Sequence, residues 1–253
     1  MSFFIASETE DVVGMPTGFE ELDAMLGCGG LPEGRMTVIT GPFSSGKTAL
    51  ALHLISQAQK QGKKTLFCDV ERTFHKEQAK ICGVDLEGLI VMRGAFGEEV
   101  LDQLEKWLLE EKKKKRVNEE ALVVLDSYSF LSPRAEVEAD NERKGMMEKS
   151  RMMAQHLRKM VNIVPETKCT YLVISHHYEV SIPGTMAKRL VLPGGDAMSK
   201  APSVWLRIAS SQIKEGSERV GTTLRIVQMK NKVGGSQGDE CEIEYNFKKG
   251  FVV

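Results

Sequence analysis

The chain lacks a large net charge, paired cysteines, a long apolar run and any internal repeat, and each absence narrows what the protein does. Its 34 lysines and arginines are cancelled by 35 aspartates and glutamates, so no global positive field draws it to nucleic acid, and any such contact has to be local. The five cysteines, Cys28, Cys68, Cys82, Cys169 and Cys241, are widely separated with no CxxC pair. Without a secretory signal they read as free thiols of a cytosolic protein. No apolar run approaches the roughly 18–20 residues that span a bilayer. The opening MSFFIASETEDVV has no basic start and turns acidic, so neither membrane insertion nor export is expected.

What is present is an ordinary globular balance, 42% hydrophobic and 27% charged over 253 residues, which fits one large domain. Short apolar runs alternate with longer helix-like stretches, the pattern of an α/β protein with a mostly parallel sheet flanked by helices. The spacing predicts strands at Met36–Thr40, Thr65–Asp69, Leu89–Met92, Ala121–Asp126 and Thr170–Ser175, and helices at Lys47–Gln61, Phe74–Cys82, Glu98–Lys113 and Lys144–Val164. In the last helix Met146, Met153, Leu157, Met160 and Val164 fall on one stripe, which reads as core. After Gly195 the texture changes to strand-like pieces, Ser203–Ala209, Thr222–Met229 and Glu240–Tyr245, separated by Gly- and Ser-rich turns. These should extend the sheet in antiparallel fashion. The KKKKR run at Lys112–Arg116 reads as a solvated helix end that complements the helix dipole.

The segment Gly41–Thr48, GPFSSGKT, matches the GxxxxGK[ST] phosphate loop and lies after a predicted strand and at the start of a predicted helix. Gly41 and Gly46 let the backbone turn tightly around a phosphate, with Pro42, Phe43, Ser44, Ser45 and Ala49 completing the loop. Lys47 would bridge the β- and γ-phosphates of ATP, and Thr48 would give its hydroxyl to Mg2+. The second metal-site residue is Asp126, at the end of the apolar strand LVVLD. Hydrolysis needs a further group to orient water. Ser127 follows Asp126, so the search moves to Glu71, just past a parallel strand that should end on the same ligand-facing edge, with Asp69 as its nearest competitor.

From Thr17 onward the chain resembles the RecA family of homologous-recombination ATPases. The resemblance rests on TGFEELDAMLGCGGLPEGR, GPFSSGKTALAL, LFCDVE, GVD, LVVLDSYSFLSPRAEVE, RMMAQHLRKM, LPGG and KNKV, in order. It implies a RecA-like P-loop NTPase core over 17–253, preceded by an N-terminal segment, 1–16, suited to an oligomerisation arm. It implies that Glu71 is the catalytic glutamate, and that Lys230 and Lys232 reach a neighbour's ATP across a filament or ring interface. Two mobile DNA-binding loops are implied at Glu138–Gly145 and His177–Pro193. The DNA-contacting candidates there and beside them are Arg143, Lys144, Tyr178, Lys188, Arg189, Gly194 and Gly195.

Departures from the family pattern qualify this reading. His176 stands where bacterial members carry a γ-phosphate-sensing glutamine, a feature similar to phage recombinases of the UvsX type, and it could still donate to that phosphate. Phe43 replaces a residue that is often acidic. Gln78 stands where an aromatic ring would stack on adenine, which puts base selectivity in doubt. The short N-terminal segment carries Phe3, Phe4 and Ile5 as a candidate docking strand, and with the sequence stopping at Val253 no accessory DNA-gathering domain is expected. The function expected is an ATP-dependent recombinase that coats single-stranded DNA and pairs it with homologous duplex, in the cytoplasm or, for a phage-encoded chain, the host cytoplasm. Mediator or single-strand-binding proteins are candidate partners. The alternatives are a RecA-fold paralogue or helicase-like motor that hydrolyses ATP without strand exchange, and an ATP-gated module that binds a protein partner.

Overall fold

The computed structural model describes residues 5, 7, 11–113, 120–138, 142–181, 184–186, 188–193 and 195–252. The chain begins with β1 (Gly14–Met15), α1 (Glu20–Leu26), β2 (Leu31–Pro32), β3 (Met36–Thr40), α2 (Lys47–Lys60), β4 (Lys64–Asp69), α3 (Lys76–Ile81) and β5 (Leu89–Met92). It continues through α4 (Gly97–Lys113), β6 (Ala121–Asp126), α5 (Arg134–Glu138), α6 (Glu142–Thr167) and β7 (Thr170–Ser175). The last third holds β8 (Tyr178–Ser181), β9 (Lys188–Val191), α7 (Asp196–Lys200), β10 (Val204–Glu215), β11 (Glu218–Asn231), β12 (Glu240–Asn246) and β13 (Gly250–Phe251).

The apolar runs become adjacent strands because each carries side chains for both faces of a covered sheet. Nine strands lie in the order β13-β12-β11-β10-β3-β7-β6-β4-β5. Leu122 and Val124 of β6 and Leu172 and Ile174 of β7 point to the face covered by α2. Val123, Leu125, Tyr171 and Val173 alternate onto the face covered by α4 and α6. Each fully buried Leu or Val side chain contributes about 1.5–3 kcal/mol, so the two layers together hold the strand edges in place.

The methionine stripe behaves as core, with Met153, Leu157, Met160 and Val164 all buried against the sheet; the side chain of Met146 lies outside the described residues. The helix that carries it is longer than predicted. Pro165 falls in its last turn, and the carbonyl it leaves without a helical donor is that of Val161, a solvent-exposed residue. Thr167 Oγ bonds back to the carbonyls of Ile163 and Val164, and Lys168, at φ 52°, ends the helix. The KKKKR run lies mostly outside the described residues.

One expectation about the C-terminal strands is corrected. β10 pairs with β3 in parallel, and the antiparallel extension begins only at β11. The region read as a loop at His177–Pro193 contains β8 and β9, an antiparallel pair. Gly14 and Met15, placed by the sequence in the N-terminal segment, form β1 on β2, and Met15 is in the core.

Two blocks far apart in sequence fasten each other. The Gln228 side-chain amide donates to the Met25 carbonyl, and Asn231 Nδ2 donates to that of Leu26. These are open carbonyls at the C-terminal end of α1. Gly235 passes so close that a Cβ would lie 2.1 Å from the Met25 carbonyl oxygen, so glycine is required there.

Within the α6 layer His156 is buried, and its Nε2 lies 3.0 Å from the Tyr171 hydroxyl. Burial, and then the Lys159 charge, push this imidazole down to about 3 from 6.5. As pH falls below about 6.5 the unfolded chain takes up a proton that the folded chain refuses, so His156 lowers stability by about 1.4 kcal/mol per pH unit until its folded value is reached. His156→Phe keeps a ring and removes the titration. Urea unfolding between about pH 6 and 4 should then show a slope of stability against pH that is shallower than wild type by about 1.4 kcal/mol per unit; an unchanged slope would show that His156 is not held neutral.

Candidate active site

β3 ends at Thr40, and the next residues wrap into the loop that opens α2. A Cβ on Gly41 would sit 2.7 Å from both the Ile208 carbonyl oxygen and Ser45 Oγ, and Gly46 has φ 90°. The glycines therefore set the loop's path, as its motif predicts. Lys47 is the first residue of α2, and its Nζ donates to the loop's own carbonyls, Pro42 at 2.6 Å and Gly41 at 3.1 Å. Burial pushes this amine down to about 8, against the opposing pull of Asp126 and Glu71.

The next α2 residue, Thr48, donates its hydroxyl to Asp126 Oδ2 at 2.7 Å. Asp126 is almost wholly buried at the end of β6; burial pushes it up to about 6, with the Thr48 bond opposing and the Glu71 charge adding to the rise. No group of three or more His, Cys, Asp or Glu suited to a metal occurs among the described residues. The pair Thr48 and Asp126 has the chemistry of a Mg2+ site that relies on phosphate oxygens and water for its other ligands.

Glu71 lies two residues past β4 and accepts a short hydrogen bond from Ser127 Oγ on its Oε1. His176 Nε2 approaches the same oxygen at 3.6 Å. Its competitor Asp69 is otherwise engaged. Its oxygens accept the backbone N–H groups of Thr73 and Phe74 and the Arg93 guanidinium at 2.6 and 2.9 Å. Asp69 thus braces the segment that carries Glu71 and does not line the cleft.

The cleft has a volume of about 580 Å³, and Phe43, Lys47, Thr48, Glu71, Asp126 and His176 line one end. The other end was not found from sequence. There Gln78 and His75 of the α3 region face Tyr245, Phe247 and Arg219 from the antiparallel strands, with the Arg219 guanidinium 5.2 Å from the Phe247 ring centre. The aromatic surface missing at Gln78 is supplied across the cleft, and nothing in the local spacing of β11 and β12 announces this.

Other expected site residues lie apart. Lys230 Nζ donates to the carbonyls of Ser199 and Lys200 at the end of α7, and burial followed by the Lys232 charge pushes it down to about 8. Neither Lys230 nor Lys232 lines the cleft of its own chain. Tyr178 opens β8 with its ring exposed, and Gly195, at φ 61°, precedes α7. Arg143 and Lys144 fall in the first turn of α6, and Lys188 and Arg189 in β9. The side chains of those four, and Gly194, lie outside the described residues, as do Phe3 and Phe4.

A phosphate loop between β3 and α2, with carboxylates at the ends of β4 and β6 of one parallel sheet, defines a RecA-like P-loop NTPase fold. The chain matches the family model described as RecA N-terminal domain over residues 3–252 and belongs to that family. It is similar to Protein RecA of Symbiobacterium thermophilum, 36% identical over 220 residues that cover 87% of this chain and 61% of the relative. The protein of the same name from Roseiflexus castenholzii is 36% identical, with 87% and 60% covered, and that from Clostridium acetobutylicum 34%, with 91% and 64%. The chain therefore spans about three-fifths of the length of these relatives. No helix among the described residues is long and apolar enough to cross a membrane.

Lys47 supplies a direct test of where phosphate charge lands. With the amine at about 8, a polyphosphate bound against it would raise that value and draw in a proton, about 0.1 at pH 7, about half at pH 8 and about 0.9 at pH 9. Calorimetry in buffers of different ionisation enthalpy should trace this rise. Uptake that is flat across the range would mean that Lys47 does not receive the phosphate.

Proposed function

We propose that this chain is the ATPase core of a DNA recombinase, which binds ATP with Mg2+, assembles on single-stranded DNA and pairs that strand with homologous duplex. The observation that carries the reading is the convergence of Lys47, Thr48, Asp126 and Glu71 on one cleft in a chain of the RecA N-terminal domain family. The His176-bearing strand end supports a phage UvsX-type variant of this activity.

In the proposed cycle Lys47 exchanges the Gly41 and Pro42 carbonyls for the β- and γ-phosphates, while the loop N–H groups and the start of α2 take the remaining phosphate charge. Thr48 and Asp126 would hold Mg2+, whose chemistry when bound is to neutralise developing charge on the phosphates. Glu71, fixed through Oε1 by Ser127, has its second oxygen available to orient the attacking water and accept its proton. The bond from the γ-phosphorus to the bridging oxygen breaks, giving ADP and phosphate. His176 donates to the γ-phosphate, and Lys230 and Lys232 act on the ATP of a neighbouring subunit in the filament. Arg143, Lys144, Tyr178, Lys188, Arg189, Gly194 and Gly195 contact DNA through phosphates and base faces.

ATP hydrolysis measured with and without single-stranded DNA, followed by joint-molecule formation with homologous duplex, tests the reading. Stimulation with pairing supports the recombinase. Hydrolysis without pairing favours a motor or paralogue, and hydrolysis indifferent to DNA removes both. Glu71→Gln should lower the stimulated kcat by about 100-fold or more while ATP still binds; a variant that turns over normally refutes the assignment of Glu71. Lys188→Ala combined with Arg189→Ala should weaken single-strand binding and reduce the slope of log affinity against log salt by about 1.4, about 0.7 for each phosphate no longer neutralised. An unchanged slope would take these two residues out of the interface.

A further inference from the structure

We propose that Phe43 is a positioning residue for hydrolysis: its ring clamps the His176 imidazole against Glu71, so that the phosphate loop and the carboxylate respond as one unit. The inference rests on the reading of Glu71 as the group that orients water.

Phe43 is exposed at the turn of the phosphate loop, so its ring position is set by what it stacks on and not by a surrounding core. It lies flat on the His176 imidazole, with ring centres 4.1 Å apart and planes 26° from parallel. The Phe130 ring meets the same imidazole edge-on, at 5.9 Å and 69°. The backbone beneath is fixed, because the His176 N–H donates to Ser129 Oγ at 2.7 Å and Ser129 bonds Ser175 at 3.1 Å. The hydrogen-bond contacts of the imidazole are with the Glu71 carboxylate and the Gly41 backbone. Its Nδ1 is buried with no hydrogen-bond partner among the described residues, and its Nε2 stands 3.6 Å from Glu71 Oε1. Its rotamer therefore depends on the two rings together with the Glu71 and Gly41 contacts, and removing Phe43 opens one whole face.

The other end of the clamp is tied to the phosphate-binding lysine. The Pro42 carbonyl, which accepts from Lys47 at 2.6 Å, belongs to the peptide unit that joins Pro42 to Phe43. When Lys47 leaves that carbonyl for a phosphate, the peptide plane is released, and the ring attached to it is the one resting on His176. The state of Lys47 thus reaches Glu71 through four adjoining groups: the Pro42 carbonyl, Phe43, His176 and the carboxylate.

The test is steady-state ATP hydrolysis on the full chain with single-stranded DNA. Phe43→Ala and His176→Ala should each lower kcat by about ten- to a hundredfold, and Phe43→Ala should leave KM for ATP within about twofold. The double variant should be no slower than the worse single one, because both remove the same stacking interaction. Phe43→Tyr and Phe43→Trp, which keep a flat ring, should restore the rate. Phe43→Leu, which keeps the apolar volume without the stacking face, should not. Multiplying effects in the double variant, a Leu variant as fast as wild type, or a raised KM with unchanged kcat would each overturn the clamp. The two readings fail separately: full activity in Glu71→Gln removes the group being positioned, whereas an inactive Glu71→Gln beside a fully active Phe43→Ala removes the clamp alone.

Discussion

The chemistry of this chain depends on four parallel strands ending at one level. Asp69 is opposite Asp126 in the β4–β6 ladder, and Thr40 is opposite Ser175 in the β3–β7 ladder. Because side chains alternate along a strand, a slip of one residue in either ladder would turn Asp126 or the base of the phosphate loop to the wrong face. The register is held from both sides by strands buried on both faces, so the cleft inherits its geometry from Leu, Val and Ile residues that never touch it. This is the general logic of open α/β sheets, which place ligands beyond the carboxyl ends of their strands.

Within that geometry the charged groups are held against their solvation preference. Burial pushes Lys47 down to about 8 and Asp126 up to about 6, so each is shifted toward its neutral form. A polyphosphate and a divalent cation reverse both tendencies at once, one supplying negative charge beside the amine and the other positive charge beside the carboxylate. Lys47 also keeps its donors occupied by the Gly41 and Pro42 carbonyls, which avoids a buried unpaired ammonium.

How much of this was legible in the sequence follows from how local each signal is. The phosphate loop was legible because its glycines, lysine and threonine lie within eight positions of one turn. That Asp126 and Glu71 come to the cleft was legible because one ends an apolar strand and the other lies just past a parallel one. The competing Asp69 could not be set aside from sequence, since its partner Arg93 comes from beyond β5. The Arg219, Tyr245 and Phe247 wall was illegible for the same reason, as it forms only when β11 and β12 are laid beside α2 and α3. The parallel pairing of β10 was also hidden. Its alternating pattern is that of an antiparallel strand, and only the connection through α7 sets its direction. The β8–β9 pair was missed because each strand is four residues long and the apolar side chains of β8, Tyr178 and Val180, are exposed.

The connection between the cleft and the β8–β9 pair is short enough to constrain how they can communicate. β7 delivers Ser175 to the cleft, His176 lines it, and β8 begins at Tyr178. Only His176 and His177 separate the strand that forms the cleft floor from the hairpin strand carrying the exposed Tyr178 ring. A change in the His176 backbone must therefore be absorbed within two residues or passed into β8. The Ser129–Ser175–His176 hydrogen bonds resist absorption on the β7 side, which leaves the β8 side as the softer path. Coupling in this fold need not run through a long chain of packed residues. One residue that belongs to both the cleft and the hairpin junction is sufficient, provided that its side chain has two positions and the nucleotide favours one of them.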